Sequence, residues 1–219
     1  MEKIDDDIDV VSGFYLPDAK SKFEKILAEL TFPKIEQINE KEFLPSSRSI
    51  CFRKKCWEKV QGYPENSLTA EDTLFDLRLV EQKFNFVFAK DAVVFWRCRN
   101  NLKAVLKQWY LYAKGDGILG LVMNKKYGRR HYAKLLVLGY AFISLLFVGI
   151  ISPILIPTAL SLGCFYYFLY FIKRKNGLKI VTTEISALWK GPIILFTINL
   201  GQFLGIHSGF FKKKILFHG

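Results

Sequence analysis

From Leu135 to Ile172 the chain runs for 38 residues without Asp, Glu, Lys, Arg or His. A continuous helix of that length would extend about 57 Å, nearly twice a hydrocarbon core of about 30 Å. Two crossings fit better than one. Ser152-Pro153 lies near the middle, and proline removes a helix donor and supplies the break. The stretch therefore reads as a hairpin of membrane helices near 134–151 and 154–172. The competing reading, a buried hairpin in a soluble core, asks for more uncharged residues than core helices ordinarily carry.

The flanks set an orientation. Lys125, Lys126, Arg129, Arg130 and Lys134 precede the first crossing, and Lys173, Arg174 and Lys175 follow the second. Both clusters fall on one side of a hairpin, and the positive-inside rule makes that side cytoplasmic. The expected location is the plasma membrane, multi-pass, with the soluble part in the cytoplasm. Gly191 to Phe211 is a third stretch without acidic residues, Lys or Arg. If it crossed, Lys212-Lys213-Lys214 would lie outside, against the same rule. It also holds Asn199, Gln202 and His207. We read it as re-entrant or interfacial in preference to a third crossing. Gly201, Gly205 and Gly209, spaced by four, would let it pack closely on the hairpin.

The net charge of +12 follows the same geography. Residues 1–96 carry 14 basic and 18 acidic side chains, 97–134 carry 10 and 1, and 135–219 carry 8 and 1. A nucleic-acid binder would place its charge on a polar, soluble face, whereas here it borders the greasiest segments. A membrane-lipid partner is expected and nucleic acid is not. Cys51, Cys56, Cys98 and Cys164 form no CxxC pair, and His131, His207 and His218 are too distant to complete a zinc tetrad. They read as free thiols of a reducing compartment. Met1–Asp7 has neither the basic n-region nor the apolar h-region of a signal peptide.

Before the membrane part, short strands alternate with helices. Residues 8–15, 50–52 and 86–96 read as strands, the last with a polar Lys90-Asp91 interruption. Residues 18–30, 54–60 and about 69–82 read as helices. This is an α/β layer architecture. Glu71-Asp72 at a helix start is the most suggestive pair: the helix dipole favours the ionised carboxylate, and an ionised, fixed carboxylate is what proton abstraction from a hydroxyl requires. Thr69-x-x-Asp72 is equally a capping-box pattern, which involves no chemistry. In residues 102–119, Leu102, Val105, Leu106, Trp109, Tyr112 and Ala113 share one helix face, with Lys103, Lys107 and Lys114 elsewhere. Such a helix suits the headgroup region, or packs on a core; its place just before the hairpin favours the interface.

The order of motifs is specific. Phe43-Leu44-Pro45-Ser46-Ser47-Arg48-Ser49-Ile50-Cys51-Phe52-Arg53-Lys54, Trp57-x-x-Val60-Gln61-Gly62-Tyr63-Pro64, Thr69-Ala70-Glu71-Asp72-Thr73, Trp96-Arg97-Cys98-Arg99 and Gln108-Trp109 through Gly115 together resemble the second half of membrane-anchored family 2 glycosyltransferases. The resemblance spans about Asp9 to Asp116. It implies a partial GT-A-like domain followed by a transmembrane hairpin and a third membrane-associated helix. It implies inverting transfer of a sugar from a nucleotide-diphosphate donor to a lipid or glycan acceptor. Asp72 would be the base, with Glu71 supporting it; Ser46, Ser47, Arg48, Gln108 and Trp109 would bind the acceptor. The family pattern has Gly-Gly where this chain has Gln61-Gly62, and its Gln-x-x-Arg-Trp helix is matched only in part by Gln108-Trp109. A divalent metal, Mg or Mn, is implied for the complete enzyme, held by an Asp-x-Asp segment that these residues do not supply. Asp5-Asp6-Asp7 and Asp7-x-Asp9 match in letters but precede the strand, and read as a solvated turn. The expectation is a truncated enzyme or one half of a split one, completed by a separate N-terminal nucleotide-binding chain. The competing reading is a non-catalytic membrane adaptor that binds an acceptor or a partner enzyme. The expected organisation is 1–100 transferase-like, 101–134 interface helix and basic linker, 135–172 hairpin, and 173–219 basic loop, third helix and tail.

Overall fold

The computed structural model describes residues 7–40, 43–65, 67–125, 127–152, 155–174 and 177–218. They form two units, Met1–Asp18 with Phe32–Cys98, and Ala19–Thr31 with Arg99–Gly219.

The first unit is built on β1 (Val10–Asp18), β2 (Ile50–Phe52) and β3 (Phe86–Arg97), in the order β2-β1-β3. β1 pairs antiparallel with β2, Val10 opposite Phe52, and parallel with β3, Val10 opposite Phe86 and Asp18 opposite Arg97. The β1–β3 register slips: Ser12 faces Phe88 but Phe14 faces Val93. Residues 89–92 therefore arch out of the ladder as a bulge, at the polar interruption visible in the sequence. Lys90 there pairs with Glu40 at 2.7 Å. A Cβ on Gly13 would lie 2.5 Å from the Ala92 carbonyl oxygen, so only glycine lets β1 pass beneath the arch.

Helices α2 (Lys54–Lys59) and α3 (Glu71–Glu81) belong to the same unit. Val10, Cys56, Val60, Phe75 and Leu79 form its core, with Phe52 and Tyr63 packed against it. The Phe75 ring centroid lies 5.0 Å from that of Phe52 and 4.4 Å from that of Tyr63. After α2 the chain turns through two left-handed residues, Gln61 (φ 62°) and Gly62 (φ 66°). The Trp57 ring covers Gly62 so closely that a Cβ would sit 2.6 Å from it. This turn gives the Gly-Gly pattern its physical reason, and Gln61 accepts a strain of roughly 1 kcal/mol in place of the first glycine.

The second unit is helical: α1 (Lys22–Thr31), α4 (Leu102–Leu119), α5 (Arg129–Ile151), α6 (Leu155–Lys173), α7 (Gly177–Thr183) and α8 (Ala187–His218). Helix α1, read from the sequence as part of the first 100 residues, groups here instead. Its Ile26, Leu27 and Leu30 share a core with Val105, Phe171, Ile180, Ile194 and Leu195. Lys22 pairs with Glu184 at 3.3 Å, and Arg174 donates to the Leu30 carbonyl. Bonds from Ser186 and Lys22 hold the Glu184 carboxyl below its ordinary pKa.

Three helices are long and apolar enough to cross a membrane: Arg129–Gly149, Ile156–Lys173 and Ala187–Lys213. Only 17% and 11% of the first two are buried, against 44% of the third. Val137, Ile143, Phe147, Leu162 and Phe165 are exposed, a surface suited to lipid tails. The hairpin lies where the uncharged stretch predicts it; its proposed break at Pro153 lies outside the described residues.

Two expectations for the third stretch are corrected. It is not a broken, re-entrant segment, because α8 runs as one helix of 32 residues, with Pro192 in its second turn. Its glycines pack on α4, not on the hairpin. A Cβ on Gly201 would lie 2.8 Å from the Leu106 carbonyl oxygen, one on Gly209 2.5 Å from that of Lys114, and one on Gly205 would strike that of Tyr110. Helix α4 is capped by Asn101, which accepts from the Ala104 N–H at 2.8 Å, and stops at left-handed Gly120. Its apolar face is therefore covered by α8, while Lys103 and Lys107 stay exposed.

The polar residues of α8 find partners on three neighbours. Asn199 donates to the Tyr167 hydroxyl of α6 at 3.2 Å. Gln202 meets His131 of α5 at 3.2 Å, and His207 Nε2 meets the Tyr140 hydroxyl at 2.5 Å. Ser208 accepts from Tyr110 of α4 at 2.9 Å. Substituting Gly205→Val should force α4 and α8 apart and lower stability by about 1–3 kcal/mol or more. Gly163→Ala, whose Cβ meets only Phe142 at an ordinary 3.5 Å, should be neutral or gain up to roughly 1 kcal/mol. Thermal melts of both variants in detergent make the comparison.

Candidate functional site

Helix α3 begins abruptly. Its N-cap is Ala70, a non-glycine in the left-handed region (φ 65°), and its side chain makes no capping bond. The N-cap position falls at Ala70, one residue after the Thr69 of the capping-box pattern; the Thr69 N–H and carbonyl both engage Ser67, at 3.5 and 2.8 Å. A β-carbon at positive φ strains the backbone by about 1–2 kcal/mol, and such strain gathers where a side chain must be aimed. Here it sits immediately before Glu71 and Asp72, the acidic residues of the first turn.

Asp72 is half-buried, and its Oδ1 accepts from the N–H of Thr73 at 2.8 Å. Its Oδ2 has no partner among the described residues. The Glu71 Oε2 is buried with no partner, as are Asp76 Oδ2 and Ser12 Oγ. Asp76 lies one turn after Asp72 on the same helix face and is only 1% exposed. Ser12 lies two residues from Val10 on β1 and so shares its face; Val10 packs on Phe75 and Leu79 of α3, so Ser12 lies on the sheet face that α3 covers. Burial, reinforced by the Asp72 charge, pushes the Asp76 carboxyl from 3.8 up to about 8. Burial and the neighbouring Asp76, Asp72 and Glu71 charges push the Tyr63 hydroxyl up as well. The arrangement is thus an open carboxylate oxygen backed by a protonated carboxyl group, which is the equipment of acid–base chemistry on a hydroxyl.

Ser46, Ser47 and Arg48 form the turn that enters β2. The Ser49 N–H donates to the Ser46 carbonyl, and the Gly13 N–H to that of Ser49, both at 2.8 Å. Ser46 is buried and Ser47 exposed. Arg48 donates to Ser46 Oγ at 2.6 Å and lies 3.8 Å over the centroid of Trp96. Gln108 and Trp109 belong to the second unit. Gln108 donates to the Tyr112 hydroxyl at 2.9 Å and accepts from Arg99 at 3.3 Å. Trp109 packs partly buried against the core of that unit.

Among the described residues no three of His, Cys, Asp and Glu converge as metal ligands. They therefore do not fit the divalent metal that the family resemblance implies. Asp5 and Asp6 lie outside the described residues. Asp9 is not a solvated turn residue: it binds Lys55 at 2.8 Å and accepts from the Asn85 N–H at 3.0 Å. Those bonds hold its carboxyl below the ordinary range and pin the start of β1.

Asp76 and Ser12 did not emerge from the sequence, although a carboxylate between Phe75 and Leu77 on a helix that must bury one face is a visible signal. A folded-state pKa raised from 3.8 to about 8 means that native Asp76 keeps a proton the unfolded chain releases. Its contribution is whole below pH 3.8 and is lost as pH rises to about 8. Asp76→Asn should remove this loss and stabilise the protein above pH 8 by several kcal/mol, in proportion to the charge it no longer buries. Melts from pH 5 to 9 test the sign: the wild type should weaken across that range more than the variant.

The profile of the glycosyl transferase family group 2 matches residues 31–173, from the end of α1 through α6. No curated protein and no solved structure matches the chain. The family match takes in the Ser46–Arg48 turn, the strained start of α3 and both hairpin helices, and the chain belongs to the family 2 glycosyltransferases.

Proposed function

We propose that the chain carries the acceptor-activating site of an inverting, GT-A-type glycosyltransferase held at the cytoplasmic face of the plasma membrane. The single observation behind this reading is the start of α3: a strained Ala70 at the N-cap, followed by Asp72, whose Oδ2 has no partner among the described residues. Asp72 Oδ2 takes the proton of an acceptor hydroxyl while that oxygen bonds to the anomeric carbon of the donor sugar. The bond from the anomeric carbon to the nucleotide diphosphate breaks on the opposite face, so configuration inverts. Glu71 adds negative charge beside the proton in flight, and Ser46, Ser47 and Arg48 hold the acceptor.

General-base removal contributes about 10²–10⁴-fold. In membranes where the full chain supports transfer of a labelled sugar, Asp72→Asn should reduce turnover by about that factor while the protein melts as before. Transfer at the wild-type rate would sink the base assignment and favour a non-catalytic adaptor.

Helices α5 and α6 cross the bilayer with Arg129, Arg130, Lys173 and Arg174 on the cytoplasmic side. Helix α8 stays with α4, whose lysines keep the pair at the headgroup level. A single cysteine at Lys212 should then react with an impermeant maleimide from the cytoplasmic side in sealed vesicles of known orientation. Labelling only from the opposite side would make α8 a third crossing.

A further inference from the structure

The Arg48 guanidinium has an unusual setting for an exposed cation. It lies flat 3.8 Å from the centroid of Trp96, and one NH donates to Ser46 Oγ at 2.6 Å. No carboxylate among the described residues pairs with it. Trp96 is itself fixed, edge-on to Tyr15 at 6.0 Å and tilted against Phe32 at 5.5 Å. The turn that carries Arg48 is fixed too. Ser49 Oγ donates to the Ala92 carbonyl at 3.0 Å, and the close pass of Gly13 beneath leaves it no slack. Neighbouring Arg97 differs: it lies against the Asp18 carboxylate at 3.9 Å and donates to the Asp18 carbonyl at 3.1 Å.

A guanidinium has five donors in a rigid fork matched to a tetrahedral oxyanion. Here the ring and the hydroxyl have already removed its rotamer freedom, and one donor is used. The remaining edge is ready for two parallel bonds to one group without further ordering. We infer that Arg48, laid on Trp96 and tied to Ser46, is a phosphate-binding residue of the active face. This deepens the acceptor-holding role given to Arg48 above, and rests on it. The phosphate has two sources, the phosphomonoester of a lipid-linked acceptor or the diphosphate that leaves the donor.

Calorimetric titration of the purified full chain in neutral detergent separates them. Butyl phosphate stands for the acceptor, inorganic pyrophosphate for the leaving group, and butanol for a chain without phosphate. Wild type should bind at least one phosphate probe saturably and butanol not at all. Arg48→Ala and Arg48→Lys should each weaken that binding about tenfold or more, the scale of a charge-assisted pair. Trp96→Leu should weaken it less, and Arg97→Ala should leave it unchanged. Butyl phosphate alone identifies the acceptor, and pyrophosphate alone the leaving group; binding of both places the residue between them. The inference is overturned if wild type binds neither probe, or if Arg48→Ala, melting as wild type does, binds them equally well. Asp72→Asn should bind phosphate normally, so failure of the base assignment and failure of this one are told apart.

Discussion

Helix α8 can lie against α4 at backbone distance only because three of its residues have no Cβ. Gly201, Gly205 and Gly209 recur every fourth position and face the carbonyls of Leu106, Tyr110 and Lys114. Backbones this close hold together by tight packing and by the hydrogen bonds around the contact. Once α4 is seated, Tyr110 reaches Ser208, and Asp116, buried between Gly115 and Gly117, receives the Tyr132 hydroxyl of α5. Gln202 and His207 then find their partners on α5, and Asn199 on α6. Each polar side chain that would be expensive in an apolar medium thereby becomes a link between helices. Filling one glycine would remove the contact on which these links depend.

The first unit follows a different logic. Its sheet and its Phe75 core are locally consistent: alternating strands, a glycine where backbones meet, and aromatic rings at packing distance. At α3 this consistency lapses. An alanine takes a left-handed backbone at the N-cap, and buried oxygens of Glu71 and Asp76 lack partners among the described residues. Departures of this sort are expected where function, not folding, selects residues. Two of them, at Glu71 and Asp76, lie within about one turn of Asp72 on the same helix.

How much of this was legible depended on the range of the interaction. Strand periodicity placed β2 at Ile50–Phe52, and the Lys90-Asp91 break marked the β3 bulge, because both are effects of neighbouring residues. The uncharged run located α5 and α6 for the same reason. Periodicity carries no information about which surface a helix meets, so Gly201-x-x-x-Gly205-x-x-x-Gly209 signalled close packing but not its partner. Helix α1 was assigned by chain proximity to the first unit, whereas its Lys22, Ile26 and Leu30 are satisfied by residues more than a hundred positions away. The capping-box letters put the helix start at Thr69, whereas it falls one residue later, at Ala70. Ser67 Oγ engages both backbone groups of Thr69, and local bonding of this kind is invisible in a motif. The family resemblance singled out Arg48, but its platform was not legible, since Trp96 comes beside it only through the β1–β3 pairing.

The two aspartates of α3 divide one charge between unlike surroundings. Asp72 is at the positive end of the helix, with a bond from its neighbour's N–H and an oxygen open to approach. Asp76, a turn deeper, has no partner at Oδ2 among the described residues and is 1% exposed. Ionising Asp76 would place a second charge near Asp72 in a poorly screened interior, which is why Asp76 keeps its proton. Keeping the inner group protonated instead leaves the outer one as the site of negative charge. It also leaves a hydroxyl donor in the core in place of a second buried carboxylate. A buried acid that destabilises the fold as pH rises is difficult to account for as packing. Under the proposed reaction, its position one turn behind Asp72 makes it the neutral backing of the carboxylate that would receive the proton.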